Sequence, residues 1–167
     1  MNDIDQLCPH CGLCCDGTLY ADVELSAGDD PGRLSKLGLS LKKKGRVRMA
    51  FTQPCACFDA SLCKIYADRP GRCRWFECGL LKQVQAGKMT SGVALKKISK
   101  ARTLRDKVRE LLKSFKGSCE NAALSERYAQ AMSEPANLST GESDRHGRLI
   151  RTYAELMKTL QRDFLEE

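Results

Sequence analysis

Aromatic side chains are scarce in this 167-residue chain, at 6% with a single Trp. A core built around large rings is therefore excluded, and something else must help hold the chain together. Histidine is scarcer still, with two residues, which leaves little for a His-rich metal site or a His-centred catalytic triad. No apolar run approaches the ~20 residues of a membrane-spanning helix. Residues 1–30 contain no Lys or Arg. The opening Met-Asn-Asp-Ile-Asp thus lacks the basic and apolar regions of a secretory signal, and a cytoplasmic location with no membrane association is expected. There is no glycine-rich phosphate loop, no dinucleotide fingerprint and no internal repeat.

What the chain does have is cysteine: ten residues, nine of them before position 79. In a reducing compartment such thiols point to metal or redox chemistry, not to a disulfide scaffold. Charge is the second feature. Residues 1–30 carry seven acids, residues 31–118 carry 22 basic and 5 acidic residues, and the whole chain is +7. A central block of this sign could attract phosphates or an acidic partner. The simpler expectation is that it lines solvated helix faces and offsets the charge of a thiolate-bound metal centre.

The expected fold is a small α+β or mainly α protein, with a metal-organised Cys-rich N-terminal half and a helical C-terminal half. Residues 1–90 are expected to form the cysteine-cluster domain, and residues 91–167 a helical region packed on it as one globular unit. Alternation of Leu19, Ala21 and Val23 with polar neighbours predicts a short strand. Asp30-Pro31 reads as an N-cap followed by proline at the first helical position, with Gly38 stopping a short helix. Gly45 reads as a tight turn between two extended pieces over residues 42–53. Pro70-Gly71 breaks any helix within residues 54–80. Ala94, Ile98, Ala101, Leu104, Val108, Leu111 and Phe115 recur at steps of three and four, the apolar face of a long helix ending near Gly117. Ala122, Tyr128, Ala131 and Met132 predict a shorter helix. Residues 133–147 read as a polar loop containing a solvated His146, and Leu149, Tyr153, Leu156, Leu160 and Phe164 as a last amphipathic helix.

The first cysteine group is Cys8-Pro9-His10-Cys11-Gly12-Leu13-Cys14-Cys15. Two successive Cys-x-x-Cys steps wrap a loop so that sulfurs face inward, and Gly12 permits the tight turn. Cys8, Cys11 and Cys14 match the first three positions of the bacterial ferredoxin run, but the local fourth cysteine and its proline are missing. The remaining ligand is then Cys15 or a distant residue. Cys14 and Cys15, being adjacent, do not readily face one metal, so one of them serves a second centre or is a spectator. The second group is Cys55, Cys57, Cys63, Cys73 and Cys78, without a Cys-x-x-Cys knuckle, and so matches a zinc ribbon poorly. Cys119 stands alone and reads as a plain thiol. His10, between two candidate ligands, reads as a hydrogen-bond donor or an exposed side chain.

Cys8-x-x-Cys11-Gly12-x-Cys14-Cys15, Pro54-Cys55, Cys63-Lys64-Ile65-Tyr66 and Arg69-Pro70-x-x-Cys73-Arg74-x-Phe76-x-Cys78 follow one another in an order that resembles the YkgJ-type cysteine-cluster family. That family is described as zinc- or iron-chelating. The resemblance covers residues 8–80 and implies eight metal-site cysteines: Cys8, Cys11, Cys14, Cys15, Cys55, Cys63, Cys73 and Cys78. Cys57 and Cys119 fall outside it, although an alignment with Cys57 in place of Cys55 is also possible. Relatives of this type are labelled iron–sulfur oxidoreductases, and flagellin lysine methylases carry a similar cysteine pattern. The Arg69-Pro70 piece is read as structural, with Ile65 and Tyr66 packing, Arg69 pairing with a carboxylate or a thiolate-rich, negatively charged site, and Pro70 returning the chain towards Cys73.

The expected function is metal binding by the cysteine cluster, with a [4Fe–4S] cluster preferred and a redox or enzyme-associated role. As an enzyme the chain would be an iron–sulfur oxidoreductase or part of a protein-modifying enzyme; no catalytic residue is legible. The alternative is a structural zinc module whose basic helices bind a protein or nucleic acid. The partner is expected to be a protein or redox partner of unspecified kind. Lys96, Lys97, Lys100, Arg102, Arg105, Lys107, Arg109 and Lys113 crowd the long helix, but its one aromatic, Phe115, lies on the apolar seam. Without stacking rings, sequence-specific nucleic-acid binding is not expected.

Overall fold

The computed structural model describes residues 7–59, 62–115, 119–133 and 140–165. Helices dominate, with two small sheets, and the cysteines gather in the N-terminal half while the C-terminal region is helical. A short helix α1 (Leu7–Cys11) opens the described chain. Strand β1 (Asp22–Glu24) follows and pairs antiparallel with β3 (Arg48–Thr52), which also pairs with β2 (Leu41–Lys44), giving the order β1-β3-β2. Val23 stands opposite Phe51 and Lys44 opposite Arg48. Gly45 makes the β2–β3 turn at φ +70°, a conformation that costs a residue with a Cβ. A two-residue hairpin, β4 (Phe58–Asp59) with β5 (Leu62–Cys63), pairs Phe58 with Cys63.

Helix α2 (Pro31–Lys36) starts where its sequence signals place it: the Asp30 side chain accepts from the Arg33 amide at 3.1 Å, and Pro31 takes the first turn. After a single 3₁₀ turn, Tyr66–Asp68, Pro70 leads directly into α3 (Gly71–Trp75). Pro70-Gly71 therefore begins a short helix as well as closing the turn before it, since proline is tolerated ahead of a first helical turn. Helix α4 (Gly79–Gln85) follows, then α5 (Ser91–Leu112), capped by the Thr90 hydroxyl on the Val93 amide at 3.4 Å. Helix α6 (Leu124–Ser133) and α7 (Thr140–Leu160) complete the helical part, and α7 runs into one π turn, Gln161–Leu165.

Two cores hold the chain. The larger unites Ala94, Ile98, Ala101, Leu104, Val108 and Leu112 of α5 with Leu149, Leu156, Leu160 and Phe164, and reaches Leu7 and Leu13 of the cysteine loop. The smaller holds five buried residues under the three-stranded sheet: Leu34, Leu39, Phe51, Cys57 and Ile65. The loop bearing the first cysteines is thus laid on the long helix, and the second cysteine group sits over the smaller core.

Three expectations need correction. The strand expected from Leu19 begins only at Asp22, because the Asp16 carboxylate accepts from the Thr18 amide at 2.9 Å and Leu19 bonds back to the Leu13 carbonyl, holding the preceding residues in a turn. Leu19 packs on the helical core and Val23 on the sheet core, so the alternation does not serve one face. The loop read across residues 133–147 is helical from Thr140 onwards; its segment 134–139 and the Gly117 stop lie outside the described residues. Tertiary contacts override the polar composition here. The Arg145 guanidinium lies 4.6 Å over the Phe115 ring and donates to the Ser114 carbonyl, and half-buried His146 meets Phe115 edge-on at 4.8 Å. Tyr66 is exposed, lying beneath the Arg69 guanidinium instead of packing beside Ile65.

The C-terminal turn carries a buried carboxylate, Asp163, which receives Lys97 of α5 at 2.6 Å and Arg162 at 2.6 Å. The Arg162 and Lys97 hydrogen bonds hold its carboxyl below the usual Asp value despite burial. A group depressed in the folded state adds stability above its unfolded pKa and loses it as pH falls through the folded value. Acid titration followed by circular dichroism is therefore expected to loosen wild type over the range below about pH 4, and Asp163→Asn to be less stable at neutral pH and to lose less on acidification.

Candidate metal centre

The cysteine loop is shaped by its backbone. Gly12 donates to the Cys8 carbonyl at 3.1 Å, and Cys15 and Asp16 both donate to the Gly12 carbonyl. Gly12 sits at φ +69°, and a Cβ there would meet the Phe58 ring at 2.7 Å. Only glycine lets the loop turn while the hairpin ring lies against it. From the other side, the Cys55 amide donates to the Cys15 carbonyl at 2.8 Å, stitching the second cysteine group to the first. Cys63 stands opposite Phe58 in the hairpin, Cys73 lies in α3, and Cys78 precedes α4.

These elements enclose a cavity of about 970 Å³. All eight cysteines named from the sequence line it: Cys8, Cys11, Cys14, Cys15, Cys55, Cys63, Cys73 and Cys78. Cys8 is the most exposed of them, and none is in a disulfide. Cys57 is not in the lining. It is buried in the sheet core, and its sulfur lies 3.5 Å from the Leu37 carbonyl. Cys119 is exposed and is not in the lining. Among the described residues, no three or more Cys, His, Asp or Glu side chains already meet the geometry of a single-ion site. The thiols surround the space without converging on one point.

Burial pushes the thiols of Cys11 and Cys15 up to about 12 and those of Cys55 and Cys73 up to about 11, with neighbouring thiols adding to the effect. Burial also raises Cys14 far above the ordinary value, and Cys78 less so. The opposing influences are amide N–H groups. The Leu13 amide donates to the Cys11 sulfur, those of Leu81 and Leu80 to Cys78, and that of Cys57 to Cys55. A cation placed among such thiols reverses the burial penalty, and the amides then stabilise thiolate. The donor set, eight soft sulfurs with N–H support, suits zinc or iron.

A family model for a domain described as "Putative zinc- or iron-chelating domain" (CxxCxxCC) matches residues 7–97. The chain belongs to this family. No curated protein and no solved structure matches it. Among the described residues, no helix is long and apolar enough to cross a membrane.

This cysteine-cluster chain has residues around its cavity that sequence reasoning missed. Tyr20 lines it beside Phe76, with ring centroids 5.4 Å apart and edge-on, and burial together with Cys14 and Cys78 pushes its hydroxyl up to about 12. Asp16, next to Cys15, is buried and receives Arg105 at 2.6 Å and Arg109 at 3.3 Å, while its carbonyl accepts from Arg109 at 2.8 Å. Arg102 donates to the carbonyl of exposed His10 at 2.6 Å. The long helix thus clamps the cysteine loop with three arginines. The only sequence sign of this was the acidic N-terminal segment facing a basic central block. Arg69, by contrast, was read from the sequence as facing a carboxylate or thiolate-rich site: it lines the cavity, donates to the Tyr66 carbonyl at 3.0 Å, and its charge favours thiolate at Cys8 and Cys73.

The basic stripe is correspondingly reduced. Arg105 is buried, Arg102 and Arg109 serve the loop, Lys97 serves Asp163, and Lys113 pairs with Glu110 at 2.8 Å. Lys96, Lys100 and Lys107 are left exposed on α5. Because Cys57 is spent on the core, Cys57→Ala is expected to lower stability by about 1–2 kcal/mol through a lost buried sulfur while leaving metal content unchanged. Elemental analysis beside urea unfolding checks both halves of that expectation.

Proposed function

We propose that the chain is an iron–sulfur protein of the cysteine-cluster family, in which Cys8, Cys11, Cys14, Cys15, Cys55, Cys63, Cys73 and Cys78 hold the inorganic centre. The observation that supports this best is the gathering of eight thiols around one roomy cavity. A bare tetrahedral zinc at bond lengths near ~2.3 Å draws four sulfurs to within about 4 Å of one another. An iron–sulfur cluster keeps its cysteine sulfurs farther apart, because iron and sulfide fill the centre. Eight thiols lining about 970 Å³, with no single-ion grouping among the described residues, fit the second case.

Such a cluster, when bound, supplies one-electron transfer. Leu13, Leu80 and Leu81 would direct their amides at cysteine sulfur and so favour the more negative state, with Arg69 supplying a positive charge beside Cys8 and Cys73. Tyr66 and Trp75 are exposed at the cavity edge, where a redox partner or an associated enzyme would approach. The reduced thiols this chemistry needs agree with a cytoplasmic setting.

Anaerobic purification followed by absorption spectroscopy tests the reading. Broad visible absorption that bleaches with dithionite is expected. A colourless protein containing stoichiometric zinc would replace the redox role with the structural zinc module.

A further inference from the structure

We infer that the eight cysteines form two separate four-thiol sites sharing one peptide bond: Cys8, Cys11, Cys14 and Cys78 in one, and Cys15, Cys55, Cys63 and Cys73 in the other. This division rests on the proposed metal binding and goes beyond it by fixing the number of centres and the owner of each ligand.

The backbone argues for it first. Cys14 and Cys15 are consecutive in a turn, and consecutive Cα–Cβ bonds diverge, so the two sulfurs do not aim at one point. Cys15 is the residue whose carbonyl the Cys55 amide seeks out, at 2.8 Å. Cys63 is brought to the same side because Phe58 bonds back to the Cys55 carbonyl at 2.9 Å and pairs with Cys63 across the hairpin. Packing divides the set in the same way. Cys11 and Cys78 pack against the helical core, whereas Cys55, Cys63 and Cys73 pack against the sheet core. The electrostatic neighbours agree apart from the adjacent pair: Cys8, Cys11 and Cys14 each feel Cys78, and Cys14 also feels its chain neighbour Cys15, while Cys15 feels Cys55, Cys73 and Cys63. The Phe58 ring, seated on Gly12, lies where the first cysteine loop meets the hairpin of the second group.

The distal ligand missing from the first group is therefore Cys78, set at the start of α4 where the Leu80 and Leu81 amides face its sulfur. The second site draws one ligand from each of four segments, and so depends on the sheet half being folded.

The test uses the full chain purified anaerobically with its native metal. Elemental analysis of Cys8→Ser/Cys78→Ser and of Cys55→Ser/Cys63→Ser is expected to give half the wild-type metal in each. A single shared site predicts near-complete loss in both and would overturn the division. Because either variant could misfold, the wild-type chain is also stripped stepwise with chelator and pulse-alkylated, and the labelled cysteines are identified by mass spectrometry. Two sites release their thiols as two groups of four with the stated membership. Simultaneous release of all eight, or groups of mixed membership, contradicts the division while leaving metal binding intact. A protein that carries no metal, with every thiol alkylated before chelator is added, overturns the division together with the functional reading beneath it.

Discussion

Asp16→Ala is expected to cost about 3–5 kcal/mol, the penalty for leaving buried charge without its partner. Asp16 is buried, its Oδ2 receives Arg105 at 2.6 Å and Arg109 at 3.3 Å, and its Oδ1 accepts from the Thr18 amide at 2.9 Å. Truncation removes the acceptor and leaves the buried Arg105 guanidinium with only the exposed Asp106 carboxylate, at 2.8 Å. It also releases the turn after Cys15, so the loss of stability should come with a loss of metal affinity. Asp16→Asn preserves the shape and the Thr18 bond but not the charge, and should fall between wild type and Asp16→Ala. Combining Asp16→Asn with Arg105→Met should recover part of the loss, because an apolar pair strands no charge at that contact. Urea unfolding of the four proteins measures the coupling. A loss below about 1 kcal/mol for Asp16→Ala, the scale of an exposed ion pair, would mean that the clamp is ornamental.

Metal removal is the second large effect. The sheet half rests on five buried residues, one of them Cys57, whereas the helical core has sixteen, eleven of them in α5, α6 and α7. A core so small does not offset the conformational entropy of the strands, α2 and α3. Structural metal sites can contribute about 10 kcal/mol or more to folding, which is comparable with the whole stability of an ordinary domain. Chelation under reducing conditions should therefore abolish amide protection between β1 and α3 and leave most of it in α5 and α7. Cys8 and Cys11 lie between these behaviours, since Leu7 and Leu13 belong to the helical core. Unchanged protection in the sheet half after complete metal loss would show that this half folds without help.

Some of this architecture was legible from residues alone. Asp30-Pro31, Gly45 and the three-four spacing of α5 act locally, through caps, turns and one apolar face, so sequence suffices to read them. The eight cavity cysteines were named by the resemblance to the cysteine-cluster family, whereas spacing alone left the ligand that completes the first group open. Cys57 was not assignable, since only packing against Leu37 and the sheet core separates it from Cys55 two residues away. The start of α7 was misread because the contacts of Arg145 and His146 with Phe115 span some thirty residues. The arginine clamp was hidden for the same reason: Asp16 and Arg105 are ordinary surface types until the chain brings them together inside. Arg105 and Arg109 then act as supports for the cysteine loop, which lowers the count of cations available to a phosphate-bearing partner.

The central claim, that the eight cavity thiols bind iron and sulfide, is tested most directly by measuring iron, zinc and acid-labile sulfide in the anaerobically purified chain and counting the cysteines shielded from alkylation. The account predicts iron and sulfide in equal amounts, with Cys8, Cys11, Cys14, Cys15, Cys55, Cys63, Cys73 and Cys78 shielded until the metal is removed and Cys119 labelled from the start. Zinc without sulfide, or rapid labelling of the cavity cysteines in a folded protein free of metal, would contradict it.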